Sequence, residues 1–516
     1  MDVSILIVVG FVGLLLAIAG LFRPFLGLLI FLIIHFVQPG ELIPALAPFR
    51  IELVYGTLLV LVLLRKASSS RFSLFSDRIL FAALLLIGAG VLSVPFGVWP
   101  FGSAQVVFEV AKLTVFMLLI TLIVDTEGRL RTLLWCLAAI LTWFAASSLS
   151  GFVHGEFYAL KYDWGTLERA QGINSVVGGP NELAGLLLAL LPLLIALLRI
   201  TRSIPARVLL LASGALSLVA LSLTGSRIAI IALVAMAVYY AFQAKHKLLT
   251  CGACVVLGVL IWANLPPEYQ QRYLTVESYA EGGQLDASNE LRLEVWKAGW
   301  LIFSKYPIVG VGAGQFANAY GTIYLAGRSG DWMNPHNLFI QVICELGIVG
   351  LVVFGFFLWQ IAKGIRVVLR EQGNSAVALC YEVGAACSVM YVGIFIVSTV
   401  SHTLYRPYWY LLGGLVAANR GILLSKLKSL GSPADVQVPI YGRQGQPVQA
   451  LNPSYVHYAA PQAALPLWRL GQERNAPESS SPPSDGNPPS RGSLPRLGPG
   501  ETFPASYWTS NPERRT

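Results

Sequence analysis

Residues 337–359 read NLFIQVICELGIVGLVVFGFFLW, a run with a single charge, Glu345. A helix rises about 1.5 Å per residue, so a run of this length crosses the ~30 Å of hydrocarbon in a bilayer. The chain repeats the pattern. Thirteen apolar runs can be drawn between 4–22 and 407–424. The first two, 4–22 and 24–37, are parted only by Arg23 and Pro24. They form either a tight hairpin or one broken element, so the expected count is twelve or thirteen. Composition points the same way. Of 516 residues, 55% are hydrophobic and only 12% charged, with a mean hydropathy of +0.65. A soluble domain carries roughly twice that share of charge. The fold class that follows is an all-α polytopic membrane protein. No basic segment precedes the run 4–22 and no small-residue cleavage site follows it, so it reads as a retained helix.

The loops set the topology. From Arg65 onward every second loop is basic: Arg65 and Lys66, Arg129 and Arg131, Arg199 to Arg207, Lys245 and Lys247, Lys363 to Arg370, and Arg420 to Lys428. Such loops face the cytoplasm. The opposite set, 38–50, 98–102, 153–180, 224–226, 266–336 and 401–406, then faces outward, toward the periplasm of a Gram-negative cell. The same bias accounts for the net charge of +9 without a nucleic-acid surface. Residues 1–429 thus form a transmembrane domain with one large outward loop, 266–336. Residues 430–516 contain ESSSPPSDGNPPSRGSLPRLGPG and are expected to be a disordered cytoplasmic tail, because such a segment buries too little apolar surface to offset chain entropy. The six cysteines lie in or beside apolar runs. Cys251 and Cys254 form a C-x-x-C, but no second pair completes a metal site. No D-x-D cluster stands on an outward loop, so neither a metal nor a cofactor is expected.

Arginine is scarce on outward loops by the rule that places them, so Arg50, Arg169, Arg227, Arg272, Arg292, Arg328 and Arg406 need a reason. Arg227, in LTGSRIAII, sits in a short turn at the start of a membrane helix. At that depth a guanidinium requires an anion or a dipole, unless it snorkels to the interface. Arg292, in NELRLEVWKAG, falls on an expected amphipathic helix lying near the outer leaflet, beside Glu290 and Glu294; an ordinary salt-bridged surface helix is the alternative. His336, in NPHN, closes the large loop. Pro335 is expected near the first helical position, with His336 next to it. A histidine there titrates near neutrality and can take a proton from a hydroxyl, although a capping histidine has the same signature. The glycines of VGVGAGQF lack a βαβ context, so they suggest a tight turn on the bilayer surface rather than a nucleotide site. Several guanidiniums and a neutral base suit an anionic, lipid-linked donor whose pyrophosphate leaves with its charge stabilised by cations.

Four segments resemble the O-antigen ligase and O-antigen polymerase superfamily of bacterial inner-membrane proteins. They are RAQGINSVVGGPNELAG (169–185), TGSR (224–227), ELRLEVWKAGW with YPIVGVGAGQF (290–316), and HNLFIQVICELGIVGL (336–351). They occur in family order, and the likeness spans about 160–420. LFRPFLGLLIFLIIHFVQP (21–39) also resembles O-glycosylation ligases associated with exosortase systems. The resemblance implies metal-independent transfer of a glycan from undecaprenyl pyrophosphate to a hydroxyl on a glycan, lipid or protein acceptor. It implies that His336 is the base and that Arg227 and Arg292, with Arg169, hold the pyrophosphate. Asn181 matches the family's Asn before an apolar helix. Arg406 faces outward and could join the site, and His402 beside it is a rival base. Polymerases and protein O-oligosaccharyltransferases of the superfamily share the donor and differ in acceptor. A small-anion transporter is the reading from another class. It needs ionisable groups in mid-membrane, and the apolar runs hold only Glu109, Lys112, Glu345 and Glu382. A scaffold in an export complex would leave the outward arginines unexplained.

Overall fold

The structure is a computed structural model that describes residue 13 and residues 15–67, 77–162, 165–174, 177–244, 246–280 and 287–431. The tail reading therefore lies, from 432 onward, outside the described residues. The chain is an all-α membrane protein apart from one small hairpin. The helices are α1 (Pro24–Val37), α2 (Ile51–Ala67), α3 (Arg78–Ser93), α4 (Pro100–Ile123), α5 (Glu127–Val153), α6 (Pro180–Ile200), α7 (Ile204–Leu223), α8 (Arg227–Gln243), α9 (Lys247–Ala263), α10 (Pro267–Ala280), α11 (Ala287–Lys305), α12 (Leu338–Leu369), α13 (Ala378–Ser398) and α14 (Pro407–Gly431). Strands β1 (Tyr158–Tyr162) and β2 (Gly165–Arg169) pair antiparallel, with Leu160 opposite Leu167.

Among the described residues eight helices are long and apolar enough to cross a membrane, or nine if α9 and the start of α10, bent by 120°, form one broken span. This is fewer than the twelve or thirteen expected, for physical reasons. The run 4–22 lies mostly outside the described residues, and α1 with 14 residues and α8 with 17 are apolar but shorter than the ~20 residues of a typical crossing. Helix α14 is long enough, but Asn419, Arg420, Lys426 and Lys428 dilute its apolar character. The N-terminal ambiguity resolves as a hairpin. Gly20 and Gly27 touch: a Cβ on Gly20 would lie 2.9 Å from the Cα of Gly27, and one on Gly27 would lie 2.6 Å from the Gly20 carbonyl oxygen. Seven residues along a continuous helix would stand about 10 Å apart, so the chain reverses at Arg23–Pro24.

The core lies between helices that pack along their length: α6 and α8 on α13, α3 on α12, and α4 on α14. Trp409, Tyr410, Phe116, Phe354 and Phe357 are fully buried there. Helix α12 is not continuous. Gly347 adopts φ 64°, ψ −162°, and the helical ladder breaks. Hydrocarbon offers no partner for the groups this frees, and an unpaired one costs several kcal/mol. The segment 307–312 supplies the partners. Val311 N–H donates to Cys344 O (2.8 Å) and Gly312 N–H to Glu345 O (3.1 Å), while Ile348 N–H donates to Pro307 O (2.9 Å) and Val349 N–H to Ile308 O (3.3 Å). The segment is pinned from the other side by Val98 N–H donating to Val311 O (2.9 Å) and Ala313 N–H donating to Ser93 Oγ (3.1 Å). The expectation of a glycine turn on the bilayer surface is thus corrected. The turn is threaded into the protein because the break in α12 needs its backbone.

The amphipathic helix is present as α11, but its apolar stripe faces protein rather than lipid alone. Val295, Ala298 and Ile302 are buried in one cluster with Ile340, Ile343 and Cys344 of α12. Gly299 permits the approach, since a Cβ there would lie 2.5 Å from Ile340. Gly347→Ala should cost more than ~1 kcal/mol, because its φ is positive and its Cβ would strike Ile308 O. Gly355→Ala, in the same helix with open space around it, should be neutral or stabilising. Thermal unfolding of the two variants in detergent checks the contrast.

Candidate active site

His336 stands just outside α12. The helix begins at Leu338, because the Asn337 side chain accepts from Phe339 N–H (2.8 Å) and Ile340 N–H (3.0 Å) and caps it. Pro335 therefore precedes the cap and is not the first helical residue. His336 itself holds φ +45°, a left-handed conformation uncommon for a residue with a Cβ and costing of order 1 kcal/mol. Trp296 of α11 holds it there by donating its indole N–H to Pro335 O (3.2 Å), one helical turn after Arg292. Asn337 also donates to Thr399 O (2.8 Å), and the Gln341 amide oxygen accepts from Leu404 N–H (3.2 Å). The loop 399–406 is thus tied to the start of α12. Glu345 adds a third tie, for its Oε2 accepts from Gly314 N–H (2.9 Å) and from the Tyr405 hydroxyl (2.5 Å). These bonds set His402 against His336, ring edge to ring face, with centroids 5.6 Å apart.

A second set of bonds brings in the arginines. Arg406 opens α14 and meets Glu182 in the first turn of α6 at 3.3 Å. Tyr408 reinforces the contact by donating to Glu182 O (3.0 Å). Next to Glu182, Asn181 accepts from Arg169 (3.0 Å). Arg169, 5% exposed, also donates from Nε to Thr224 O (2.6 Å). Arg272 of α10 is buried and donates from Nε to Gly225 O (2.5 Å). Two guanidiniums thus hold successive carbonyls of the turn 224–226, and Arg227 follows as the first residue of α8. The starts of α6, α8, α12 and α14 all contribute to this arrangement. The positive ends of helix dipoles favour an anion there.

The electrostatics bear on proton transfer. Burial lowers the pKa of His336 below its ordinary value; nearby Arg292 lowers it further, and Glu182 opposes both. His402 falls to about 4, from burial first and then from His336 and Arg406. Both imidazoles are neutral at pH 7 and free of an added proton. Burial pulls Arg169 down to about 10, which still leaves it cationic.

The structure joins His336, Arg292, His402 and Arg406 into one neighbourhood, with Glu182 among them, and links Arg169 to it through Asn181. Arg227 is placed by the turn that Arg169 and Arg272 hold. Arg169 has two of its donors committed to protein acceptors, which gives it a positioning part. Glu182 was missed in the sequence; it lies inside PNELAG, at a helix start where a carboxylate is common. Arg272 was noted only as an outward arginine, since nothing local says that its target is a carbonyl 47 residues away. Residues 209–355 match the family model described as O-antigen ligase. This region is similar to the O-antigen ligase superfamily. It contains Arg227, Arg292 and His336, whereas Arg169, Asn181, His402 and Arg406 lie outside it. No curated protein matches the chain. In the ligase-like region Trp296 ties α11 to the start of α12, and the TGSR turn is tied to Arg169 and Arg272. Arg169→Lys keeps the charge but loses the fork that spans Thr224 O and Asn181. It should destabilise the folded protein by about 1–3 kcal/mol, read by equilibrium unfolding in detergent.

Proposed function

We propose that the protein transfers a glycan from an undecaprenyl-pyrophosphate-linked donor to an acceptor hydroxyl on the periplasmic face of the inner membrane, without a metal ion. The observation that carries this reading is a neutral histidine, His336, packed beside His402 within a group of arginines at the ends of four helices. Arg227, Arg292 and Arg406 bind the pyrophosphate, and Arg169 holds the turn that presents Arg227. His336 takes the proton of the acceptor hydroxyl. The acceptor oxygen forms the new bond to the anomeric carbon. The bond from that carbon to the pyrophosphate oxygen breaks, and its electron pair stays on the lipid pyrophosphate. The arginines stabilise the departing charge, and the proton on His336 passes to water. A ligase, a polymerase and a protein O-oligosaccharyltransferase would share these steps and differ in the acceptor.

His336→Ala and Arg227→Ala should each lower glycan transfer in cells at least 100-fold while the protein reaches the membrane at its normal level. Lipid-linked donor should accumulate, full-length for a ligase and as single repeat units for a polymerase. Normal surface glycan in both variants would sink the mechanism. Arg292→Lys should lose most activity, because an ammonium cannot pair bidentately with phosphate oxygens.

The pH dependence has a defined sign. The base works when neutral and its pKa lies below the ordinary 6.5, so activity falls as pH drops through that lowered value. Arg292→Ala should move this acidic limb upward in pH, since it removes a cation that disfavours imidazolium. An initial-rate profile from pH 4 to 8 on purified protein measures both.

A further inference from the structure

Beside the histidine pair, with His402 in its wall, lies a cavity of about 390 Å³. Its walls include His35, Gln38, Glu52, Glu109 and Lys112, together with His402 and Arg406 of the loop 399–406. A wider cavity of about 800 Å³ shares Gln38, Glu52, Glu109 and Lys112 with it and reaches Arg50 and Glu41. Both volumes fall in the ~300–1,000 Å³ range of small-molecule sites. The polar lining, from the end of α1, the start of α2 and the middle of α4, is unexpected in helices that are otherwise apolar. Glu52 meets His35 Nδ1 at 2.8 Å, and Lys112 meets Glu109 at 2.6 Å. His35 is only 7% exposed, and its Nε2 has no hydrogen-bond partner. His402 lines the same cavity and leaves its buried Nδ1 unpartnered. Buried polar atoms without partners are rare, and each asks for an explanation.

We propose that this cavity is the acceptor site, and that its acceptor is a carbohydrate headgroup rather than a polypeptide. The proposal rests on the glycan-transfer reading above and adds where the second substrate binds. Carboxylates, amides and a lysine in alternation offer both acceptors and donors to sugar hydroxyls. Three acids, Glu41, Glu52 and Glu109, against two bases, Arg50 and Lys112, make the wider cavity a poor place for a pyrophosphate. The phosphate chemistry stays with Arg227 and Arg292, and with Arg406 where the two sites meet. The rings of Phe101 and Phe108 also line the wider cavity and give the apolar face of a pyranose a surface. His402 is the common wall. An acceptor seated here brings its hydroxyl to His402 and His336, which face each other at 5.6 Å.

The test uses two cavity variants of the full chain. Glu52→Gln removes a carboxylate while keeping shape, and Ala104→Trp fills the wider cavity without deleting a polar group. Each is expected to cut glycan transfer in a deletion strain at least tenfold, with normal protein in the membrane. Each purified variant is expected to bind undecaprenyl pyrophosphate, and the glycan-bearing donor, within twofold of wild type. Arg227→Ala serves as the comparison and should lose affinity for both lipids. Wild-type transfer by both cavity variants, including transfer that ends on a polypeptide, would overturn the acceptor assignment. So would a cavity variant that binds the glycan-bearing donor more than tenfold more weakly but bare undecaprenyl pyrophosphate normally, since the cavity would then hold donor sugars. Unimpaired transfer by Arg227→Ala and His336→Ala would instead remove the function reading itself.

Discussion

Backbone polar groups inside a bilayer must be paired within the protein, and the broken helix α12 makes this requirement local. Gly347 opens a gap in the ladder, and the segment 307–312 closes it with four backbone hydrogen bonds. Much else depends on that graft. It draws the glycine segment into the bundle and brings Gly314 N–H to Glu345, whose carboxylate then binds Tyr405. Tyr405 lies next to Arg406 and three residues from His402. A hydrogen-bond requirement in the middle of one helix thereby sets the position of a loop more than fifty residues later.

The site is assembled by the same economy. Arg169 and Arg272 are buried cations whose first use is to satisfy carbonyls of a turn, and a bonded guanidinium tolerates burial that an isolated charge does not. Their reward is a rigid presentation of Arg227 at the start of α8. On the other side, Asn337 caps α12 and reaches Thr399, so one side chain orders both a helix start and the loop carrying His402. The candidate groups are held by neighbours fixed in turn by protein contacts, which keeps their geometry defined.

The class of fold was legible because hydrocarbon thickness and the cost of lipid-exposed charge leave a coarse, strong signal in composition. Arg227, Arg292 and His336 stand out in the sequence by the same signal, since each breaks that pattern at an expected edge of the bilayer. Other features were not. Glu52 and His35 sit inside runs that read as apolar helix, and only their 2.8 Å pairing shows that they line a cavity. The hairpin at Arg23 depended on a contact between two glycines.

The sequence by itself determined that this chain lives in a membrane and which residue types it holds for phosphate and proton chemistry. Those follow from transfer energies summed along the chain, which need no knowledge of neighbours. Only the tertiary structure decided that His336 faces His402, that Arg169 is spent on Thr224 and Asn181, and that a polar cavity lies beside the histidine pair. These are pairings between segments 12 to more than 300 residues apart, and their energies exist only once the helices have packed.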